Sequence, residues 1–224
     1  MKKTLRSVMT LLLILSCLLT VCACSDGSAS GKDTEAAGST AAETETEPAA
    51  RAAFERGDRG AENYRNDSVG IDFKLPAGWI FYTDEQLAQL TNMSAELYKD
   101  KDILSKVDVV SLYEFMAVDL STNSNIIMMT EKTALPVTAE QYLTALRLQI
   151  ASQYQEGLFN VDEKTSKVDI AGSEWTYITA VAQNSGITMN QYYLVRPMGS
   201  VVIAILITDV SGADLSYYTG LLAK

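Results

Sequence analysis

Residues 174–208 read EWTYITAVAQNSGITMNQYYLVRPMGSVVIAILIT, and this stretch decides the fold class. It contains three runs that are typical of β-strands: Glu174–Ala182, Ile187–Val195 and Val201–Thr208. The segments between them are short and carry the Gly, Asn and Pro residues that reverse a chain, which predicts antiparallel neighbours. The third run is apolar on both faces, so we expect other layers of the protein to cover it on both sides.

The chain on either side of this meander predicts further strands and helices. Helices begin after Thr83 and Thr138, because a Gln follows each of them three residues later as in a capping box, and Ser211 caps a final helix. Strands are predicted at Val69–Leu75, Leu112–Leu120, Asn125–Lys132 and Lys164–Ile170. Residues 69–224 therefore form one α+β domain, in which helices flank an antiparallel β-sheet of about six to seven strands.

The second and third of these predicted strands form a hairpin around a turn at Ser121–Ser124. Strict alternation in the first strand of the hairpin puts Glu114 on the same face as Leu112 and on the face opposite to Tyr113 and Phe115.

The N-terminal residues are typical of a targeting signal and not of the fold. Three basic residues precede an apolar stretch from Val8 to Val21, which is the arrangement of a secretory signal sequence. The end of this segment resembles the signal of bacterial lipoproteins, because Ala23 directly precedes Cys24. The resemblance implies that residues 1–23 are removed and that Cys24 then carries a diacylglyceryl group and an amide-linked fatty acid such as palmitate.

Lipidation of Cys24 would provide a stable membrane anchor, because each buried methylene contributes ~0.8 kcal/mol and two or more chains are present. Two alternatives stay open. An ordinary signal peptidase that cuts after Ala23 would release a soluble protein. Alternatively, the lipidated cysteine would be Cys17, which follows Ser16, although the apolar stretch before it is shorter.

Residues 24–68 are predicted to be the lipidated cysteine followed by a disordered tether. Ser25–Ala50 consists mainly of Ser, Ala, Thr, Gly and Glu, and such a segment cannot bury enough apolar surface to offset its ordering entropy. The segment Arg51–Arg65 is more mixed and is compatible with a short helix. The domain is predicted to begin at Val69.

The composition excludes several kinds of chemistry. The chain contains no His, and its three cysteines, at positions 17, 22 and 24, all precede the domain. Thiolate or imidazole zinc sites, Ser-His-Asp triads and Cys-His nucleophiles are therefore excluded from the domain. The sequence indicates no cofactor.

The charge balance bears on the partners. Removing residues 1–23 takes away three of 18 basic residues and none of the 28 acidic residues, so the net charge falls from −10 to −13. An acidic surface repels phosphates, and we expect no nucleic acid partner.

The pattern Phe73-x-Leu75-Pro76-x-Gly78-Trp79 resembles the opening signature of the PsbP-like domain superfamily, and the order of the later elements is similar to that family. The resemblance covers the whole predicted domain and implies an α-β-α sandwich around an antiparallel sheet. Its sharpest element, Leu-Pro-x-Gly-Trp, is structural, so no functional residue can be carried over.

Few residues stand out as site candidates. Tyr192 and Tyr193 point to opposite faces of a strand, so at least one of them can meet a surface pocket for a sugar or a peptide. The pairs Asp84–Glu85 and Asp162–Glu163 match the chemistry of calcium binding or of a shared proton. Because negative charge is also favourable in the first turn of a helix, we interpret these pairs as structural and expect no metal site.

These features predict a lipid-anchored protein on the extracytoplasmic face of the cell membrane that acts as a non-catalytic binding or assembly module of the bacterial envelope. Its partners would be the membrane, through the anchor, and an envelope protein or a small molecule. A carboxylate-dependent envelope hydrolase is the alternative, and it needs two Asp or Glu side chains in one pocket. A third possibility is a maintenance factor that only stabilises another complex.

Overall fold

The structure is a computed structural model that describes residues 54–106, 111–153, 158–184 and 186–223. The predicted signal segment, Cys24 and the first part of the predicted tether lie outside these residues. The strands are β1 (Asp58–Arg59), β2 (Asn63–Asn66), β3 (Ile71–Lys74), β4 (Trp79–Phe81), β5 (Ser111–Asp119), β6 (Asn125–Lys132), β7 (Phe159–Val161), β8 (Ser166–Ile170), β9 (Ser173–Asn184), β10 (Ile187–Met198) and β11 (Val201–Asp209). The helices are α1 (Asp84–Leu90), α2 (Ala95–Tyr98), α3 (Ile103–Lys106), α4 (Ala139–Gln153) and α5 (Leu215–Leu222).

Eight of these strands form one large antiparallel sheet in the order β4-β5-β6-β11-β10-β9-β7, and β8 pairs with another part of the same edge of β9. The predicted sheet-dominated α+β class is therefore confirmed. The sequence predicted about six to seven strands, because the three-residue strands β4 and β7 are too short to show alternation. The predicted strand Val69–Leu75 contains β3, which belongs to a separate three-stranded sheet, β1-β2-β3.

The meander β9-β10-β11 is antiparallel, as predicted, and β6 pairs with the other edge of β11. Ile203, Ile205 and Ile207 pack in a core on one face of the large sheet, while Val202 and Leu206 pack in a second core on the other face. The prediction that β11 is covered on both sides is therefore confirmed. Each large apolar side chain buried in this way contributes about 1.5–3 kcal/mol.

Different layers cover the two faces of the large sheet. Helices α1–α4 cover the face that we call the helix face, through residues such as Leu87, Ile103 and Leu143. The β1-β2-β3 sheet and α5 cover the opposite face, which we call the small-sheet face, through residues such as Phe73 and Tyr218.

The domain includes residues that the sequence assigned to the tether. Phe54 packs against the core of the small-sheet face, and β2 pairs with both β1 and β3. Tyr64 of β2 is fully buried, with its ring centroid 4.8 Å from that of Phe115. The predicted boundary at residue 69 is therefore wrong, and within residues 54–65 the structure contains strands instead of the suggested short helix.

Strand β5 departs from the predicted alternation at Glu114. Its register with β6 shifts between Tyr113 and Phe115, which marks a β-bulge. A bulge inserts one unpaired residue, so the side chains after it change face relative to strict alternation. Glu114 consequently lies on the same side as Phe115 and contacts Tyr64 of the small sheet, so the prediction that Glu114 and Phe115 lie on opposite faces is wrong.

The first two predicted helix starts are confirmed. The Thr83 side chain accepts a hydrogen bond from the Gln86 amide, and the Gln86 side chain accepts one from the Thr83 amide. The same reciprocal pair joins Thr138 and Gln141 at the start of α4.

The predicted cap of the last helix is wrong. The N-cap of α5 is Asp214, whose carboxylate accepts a hydrogen bond from the Tyr217 amide at 3.1 Å. Ser211 instead donates its hydroxyl to Asp209 at 2.7 Å, because the Asp209 carboxylate organises the turn after β11.

Candidate functional site

A groove of about 530 Å³ lies at one end of the small-sheet face. One wall consists of residues 54–58 and the turn at residues 65–68, which belong to the N-terminal part of the fold. The second wall is formed by α3 and the connection before it. Lys132 and Val201, at the ends of β6 and β11, form the floor.

The floor carries one cationic side chain. Lys132 and Val201 are register partners, and alternation from Met128 places Lys132 on the small-sheet face. Thr130 lies between Met128 and Lys132 in β6, on the same face, and donates its hydroxyl to the Glu114 carboxylate at 3.3 Å. Lys132 is half-buried, and its ammonium group makes no hydrogen bond or ion pair within the residues that the structure describes.

A buried ion pair supports the N-terminal wall. Arg56 Nε lies 3.2 Å from Glu114 Oε1, and the exposed fractions of the two side chains are 9% and 0%. The Arg56 guanidinium also donates to the carbonyl oxygens of Tyr98 and Asp100, at 2.5 and 3.4 Å, and its Cζ lies 5.2 Å from the centroid of the Tyr98 ring. These contacts hold the N-terminal segment against the connection between α2 and α3.

The Glu114 carboxylate has several partners besides Arg56. It accepts hydrogen bonds from the Tyr64 hydroxyl at 3.2 Å, from the Gly57 amide at 3.4 Å and from Thr130. Burial raises the pKa of Glu114, and the Arg56 charge and these hydrogen bonds oppose that rise. Burial also raises the pKa of the Tyr64 hydroxyl, and the nearby Glu114 charge adds to this effect. A carboxylate removed from water requires such partners. The bulge in β5 turns the Glu114 side chain toward the face on which these partners lie.

The turn that completes the N-terminal wall is fixed by Asn66. Its amide nitrogen donates to the Glu55 carbonyl at 3.0 Å and to the Tyr64 hydroxyl at 3.1 Å. Its amide oxygen accepts hydrogen bonds from the amide and hydroxyl of Ser68, at 3.0 and 2.6 Å. This buried network gives the wall a defined shape before any ligand binds.

An ion pair connects the second wall to the first. Lys101, in the connection before α3, forms an ion pair with Asp58 of β1. The preceding Asp100 accepts a hydrogen bond from Lys106 Nζ at 2.6 Å, and this hydrogen bond lowers the pKa of Asp100. The charges of this loop therefore help to position α3 as a wall.

Eight charged side chains line the groove, four of each sign. Five of them have ion-pair partners: Arg56 with Glu114, Asp58 with Lys101, and Arg65 with Asp67. Within the described part of the chain, the side chains of Glu55, Asp102 and Lys132 make no ion pair or hydrogen bond. The groove therefore offers two carboxylates and one ammonium group to a ligand.

The tyrosines suggested by the sequence lie elsewhere. Tyr193 is buried on the helix face and donates its hydroxyl to Gln191 at 2.7 Å. Tyr192 is half-buried against the core of the small-sheet face, where burial and then the nearby Asp209 charge raise its pKa. Neither residue lines the groove, and Cys24 lies outside the described residues.

The acid pairs suggested by the sequence have structural partners. Asp84 forms an ion pair with Arg59, and Glu85 lies 3.8 Å from Lys99 Nζ. Asp162 accepts a hydrogen bond from the Thr179 amide at 3.3 Å. These contacts agree with our structural interpretation of the two pairs.

Two carboxyl groups are buried in the described residues with raised pKa values, but they do not form a common site. Glu114 lies on the small-sheet face. Glu131 lies on the helix face, where burial raises its pKa and the Tyr142 hydroxyl donates to it at 2.7 Å. No group of three or more acidic residues in the described ranges is placed to hold a metal ion.

Sequence reasoning missed the groove because much of its lining lies in the segment assigned to the tether. One signal was available in Gly57, which lies in the segment for which a short helix was suggested. A Cβ atom at this position would lie 2.5 Å from the ring of Tyr64, so the close approach of the chain to that ring requires glycine.

No protein-family model matches this chain, and no curated protein matches it. A crystal structure of a protein from Bacteroides thetaiotaomicron VPI-5482 matches 71% of this chain and 45% of its own chain, with 11% sequence identity and a TM-score of 0.37. This similarity is too low for any statement about fold or function to pass from that protein to this one. Among the described helices, none has the length and apolar character needed to span a membrane.

Proposed function

We propose that this protein is a lipid-anchored, non-catalytic binding or assembly module on the extracytoplasmic face of a bacterial cell membrane. The observation that carries this proposal is the groove, whose walls are fixed by the Arg56–Glu114 pair and the Asn66 network. Binding sites are typically concave, largely pre-formed and supplied with a few placed polar groups. The groove meets this description and its volume lies within the usual range for such sites.

The position of the groove relative to the predicted anchor supports this proposal. Phe54 lines the groove, so the chain that leads back to Cys24 is attached directly at its wall. Phe54 lies 30 positions after Cys24, and a flexible chain of that length would have a root-mean-square span of roughly 30 Å. We propose that the groove is thereby presented close to the membrane surface.

We also propose a relation to the PsbP-like α-β-α sandwich. The Leu75-Pro76-Ala77-Gly78-Trp79 stretch leads from the small sheet into the large one, and the Trp79 amide donates to the Pro76 carbonyl at 3.1 Å. Helices cover one face of the large sheet, and α5 covers part of the other face. The small sheet beside α5 would then be an addition to that architecture.

Cross-linking in intact cells tests the binding function. The full chain would carry Ser105→Trp, which fills the groove from its second wall, and Ser152→Trp, on the exposed side of α4, is the matched control. We expect the wild type and Ser152→Trp to capture the same envelope component and Ser105→Trp to lose it. Equal capture by both variants, or no capture by the wild type, would count against the proposal.

A carboxylate-dependent envelope hydrolase is the second candidate, because Glu55 and Asp102 line one groove and neither carboxylate makes an ion pair or a hydrogen bond within the described residues. It predicts that the full chain releases products from isolated envelope material and that a Glu55→Gln/Asp102→Asn double variant does not. Product release that is unchanged in the double variant, or absent from the wild type, would remove this candidate.

A further inference from the structure

We infer that the groove binds a short peptide or amino acid in zwitterionic form, with the ligand carboxylate on the Lys132 ammonium group and the ligand ammonium facing the carboxylates of Glu55 and Asp102. This inference rests on the proposed binding function and specifies the ligand class of the same groove.

The floor of the groove determines where the ligand carboxylate binds. Lys132 is half-buried beside Val201, and its ammonium group has no partner among the described residues. The Arg56 guanidinium nearby is already bound by Glu114 and by two carbonyl oxygens. Lys132 is therefore the cation of the groove that is left to bind a carboxylate, and partial burial strengthens such a charge-assisted hydrogen bond.

The walls supply the opposite charge. Glu55 belongs to the N-terminal wall and Asp102 to the wall formed with α3, while Asp58 and Asp67 are occupied by Lys101 and Arg65. A ligand that carried only negative charge would be repelled by these two carboxylates, which make no ion pair within the described residues, and by the net charge of −13 that remains without residues 1–23. A ligand that carried only positive charge would leave Lys132 without a counterion. A ligand with one charge of each sign satisfies both conditions.

The remaining lining fits the uncharged part of a peptide. Phe54, Leu104 and Val201 provide apolar surface in the same groove as the charged groups. The volume of about 530 Å³ accommodates a molecule of a few residues.

Isothermal titration calorimetry on the full chain in detergent tests this assignment, with the dipeptide Ala-Leu as the probe. The same dipeptide with an amidated carboxyl end and the same dipeptide with an acetylated amino end remove one charge each. The variants are Lys132→Gln, Lys132→Arg to restore the positive charge, and Lys167→Gln, a matched control whose ion pair with Glu174 lies outside the groove.

We expect Ala-Leu to bind and its affinity to fall at least about tenfold on amidation or in Lys132→Gln, as expected for the loss of a charge-assisted hydrogen bond. Lys132→Arg and Lys167→Gln should retain binding, and acetylation should weaken it in the wild type but not in a Glu55→Gln/Asp102→Asn variant. No binding of Ala-Leu to the wild type, or equal binding to Lys132→Gln and the wild type, would overturn the ligand class. The cross-linking comparison of Ser105→Trp with Ser152→Trp would still decide separately whether the groove binds another partner.

Discussion

At the scale of single residues, Glu114 combines burial with a complete set of partners. A buried carboxylate is costly to desolvate, and an ion pair in such a place adds little to stability compared with apolar side chains of similar volume. Removing one member of the pair is different, because it leaves the other charge buried and uncompensated. The main effect of the Arg56–Glu114 pair is therefore to fix the position of the N-terminal wall.

Replacing Arg56 by Met should lower the free energy of unfolding by about 3–5 kcal/mol at neutral pH, because Glu114 keeps its buried charge. Replacing both Arg56 and Glu114 by Met should recover most of this loss. Arg65→Met is the control, since the Arg65–Asp67 pair is exposed and solvent screens it, so we expect a far smaller loss. Urea denaturation measures all three variants, and equal effects of Arg56→Met and Arg65→Met would contradict the role of the buried pair.

The loss in Arg56→Met should also depend on pH. Burial raises the folded-state pKa of Glu114 above its unfolded value of about 4.3. The contribution of Glu114 to stability is therefore fully present below that value and is lost as the pH rises through the folded-state pKa. Because Arg56 opposes the rise, its removal raises this pKa further and costs more at pH 7 than at pH 4. Urea titrations of the wild type and Arg56→Met at the two pH values test this. A larger loss of unfolding free energy at pH 4 than at pH 7 would contradict the predicted pH dependence.

At the scale of elements, the N-terminal hairpin of β1 and β2 forms much of one wall of the groove. The sequence shows only two alternating inward positions there, Tyr64 and Asn66, and this pattern is too short to indicate a strand. Their burial depends on Glu114 and Phe115, which lie about 50 residues later in the chain. By contrast, local alternation is enough to assign the faces of β9, because Trp175 and Ile178 lie in a long strand with period two and pack on opposite faces.

A chain that begins at Val69 should therefore lose its native packing, although the sequence alone suggested that the domain begins there. Without β1 and β2, the ring of Phe115 loses Tyr64 and the Glu114 carboxylate loses both Arg56 and the Tyr64 hydroxyl. We expect a chain that begins at Phe54 to show a cooperative unfolding transition and a chain that begins at Val69 to bind a hydrophobic dye and to lack near-ultraviolet circular dichroism. Cooperative unfolding of both chains at the same denaturant concentration would contradict this assignment.

The connection between β11 and α5 depends on the Asp209 carboxylate, which accepts hydrogen bonds from the amide and hydroxyl of Ser211 and from the Tyr218 hydroxyl. Burial acts to raise the pKa of Asp209, but these hydrogen bonds outweigh it and the pKa is lowered. Asp209 therefore contributes stability above its unfolded pKa of about 3.9, and this contribution is lost as the pH falls through the folded-state value. The direction is opposite to that for Glu114.

Asp209→Ala should accordingly lower the free energy of unfolding by about 1–3 kcal/mol at pH 7, and the difference from the wild type should shrink as the pH falls below about 4. Tyr218→Phe, which removes one of the hydrogen bonds, should cost only about 1 kcal/mol. Thermal unfolding monitored by circular dichroism at several pH values tests both variants. A loss in Asp209→Ala that stays constant with pH would argue that the carboxylate charge has no part in this connection.

At the scale of the whole molecule, the fold class followed from the sequence because a strand that is apolar on both faces, such as β11, requires two covering layers. The composition of the layers did not follow, since helices and the small sheet present similar apolar surfaces to the large sheet. The bulge at Glu114 and the cap at Asp214 likewise depend on tertiary contacts, because strict alternation and a serine four residues before α5 were locally reasonable. The groove depends on the small sheet and on the Glu114 carboxylate at the bulge, and for that reason the sequence did not indicate it.

At the same scale, the proposed lipid anchor on Cys24 would decide whether the domain stays at a membrane. If Cys24 carries two or more acyl chains, the anchor contributes ~0.8 kcal/mol for each buried methylene, which far exceeds the repulsion of an acidic domain from an anionic surface. Mass spectrometry of the membrane fraction should then find an acylated peptide that begins at Cys24. Cys24→Ser should abolish that peptide, whereas Cys22→Ser, which changes a cysteine within the predicted signal segment, should leave it intact. An unmodified peptide beginning at Cys24, found with wild-type protein in the soluble fraction, would show instead that an ordinary signal peptidase releases the domain and that the groove acts away from the membrane.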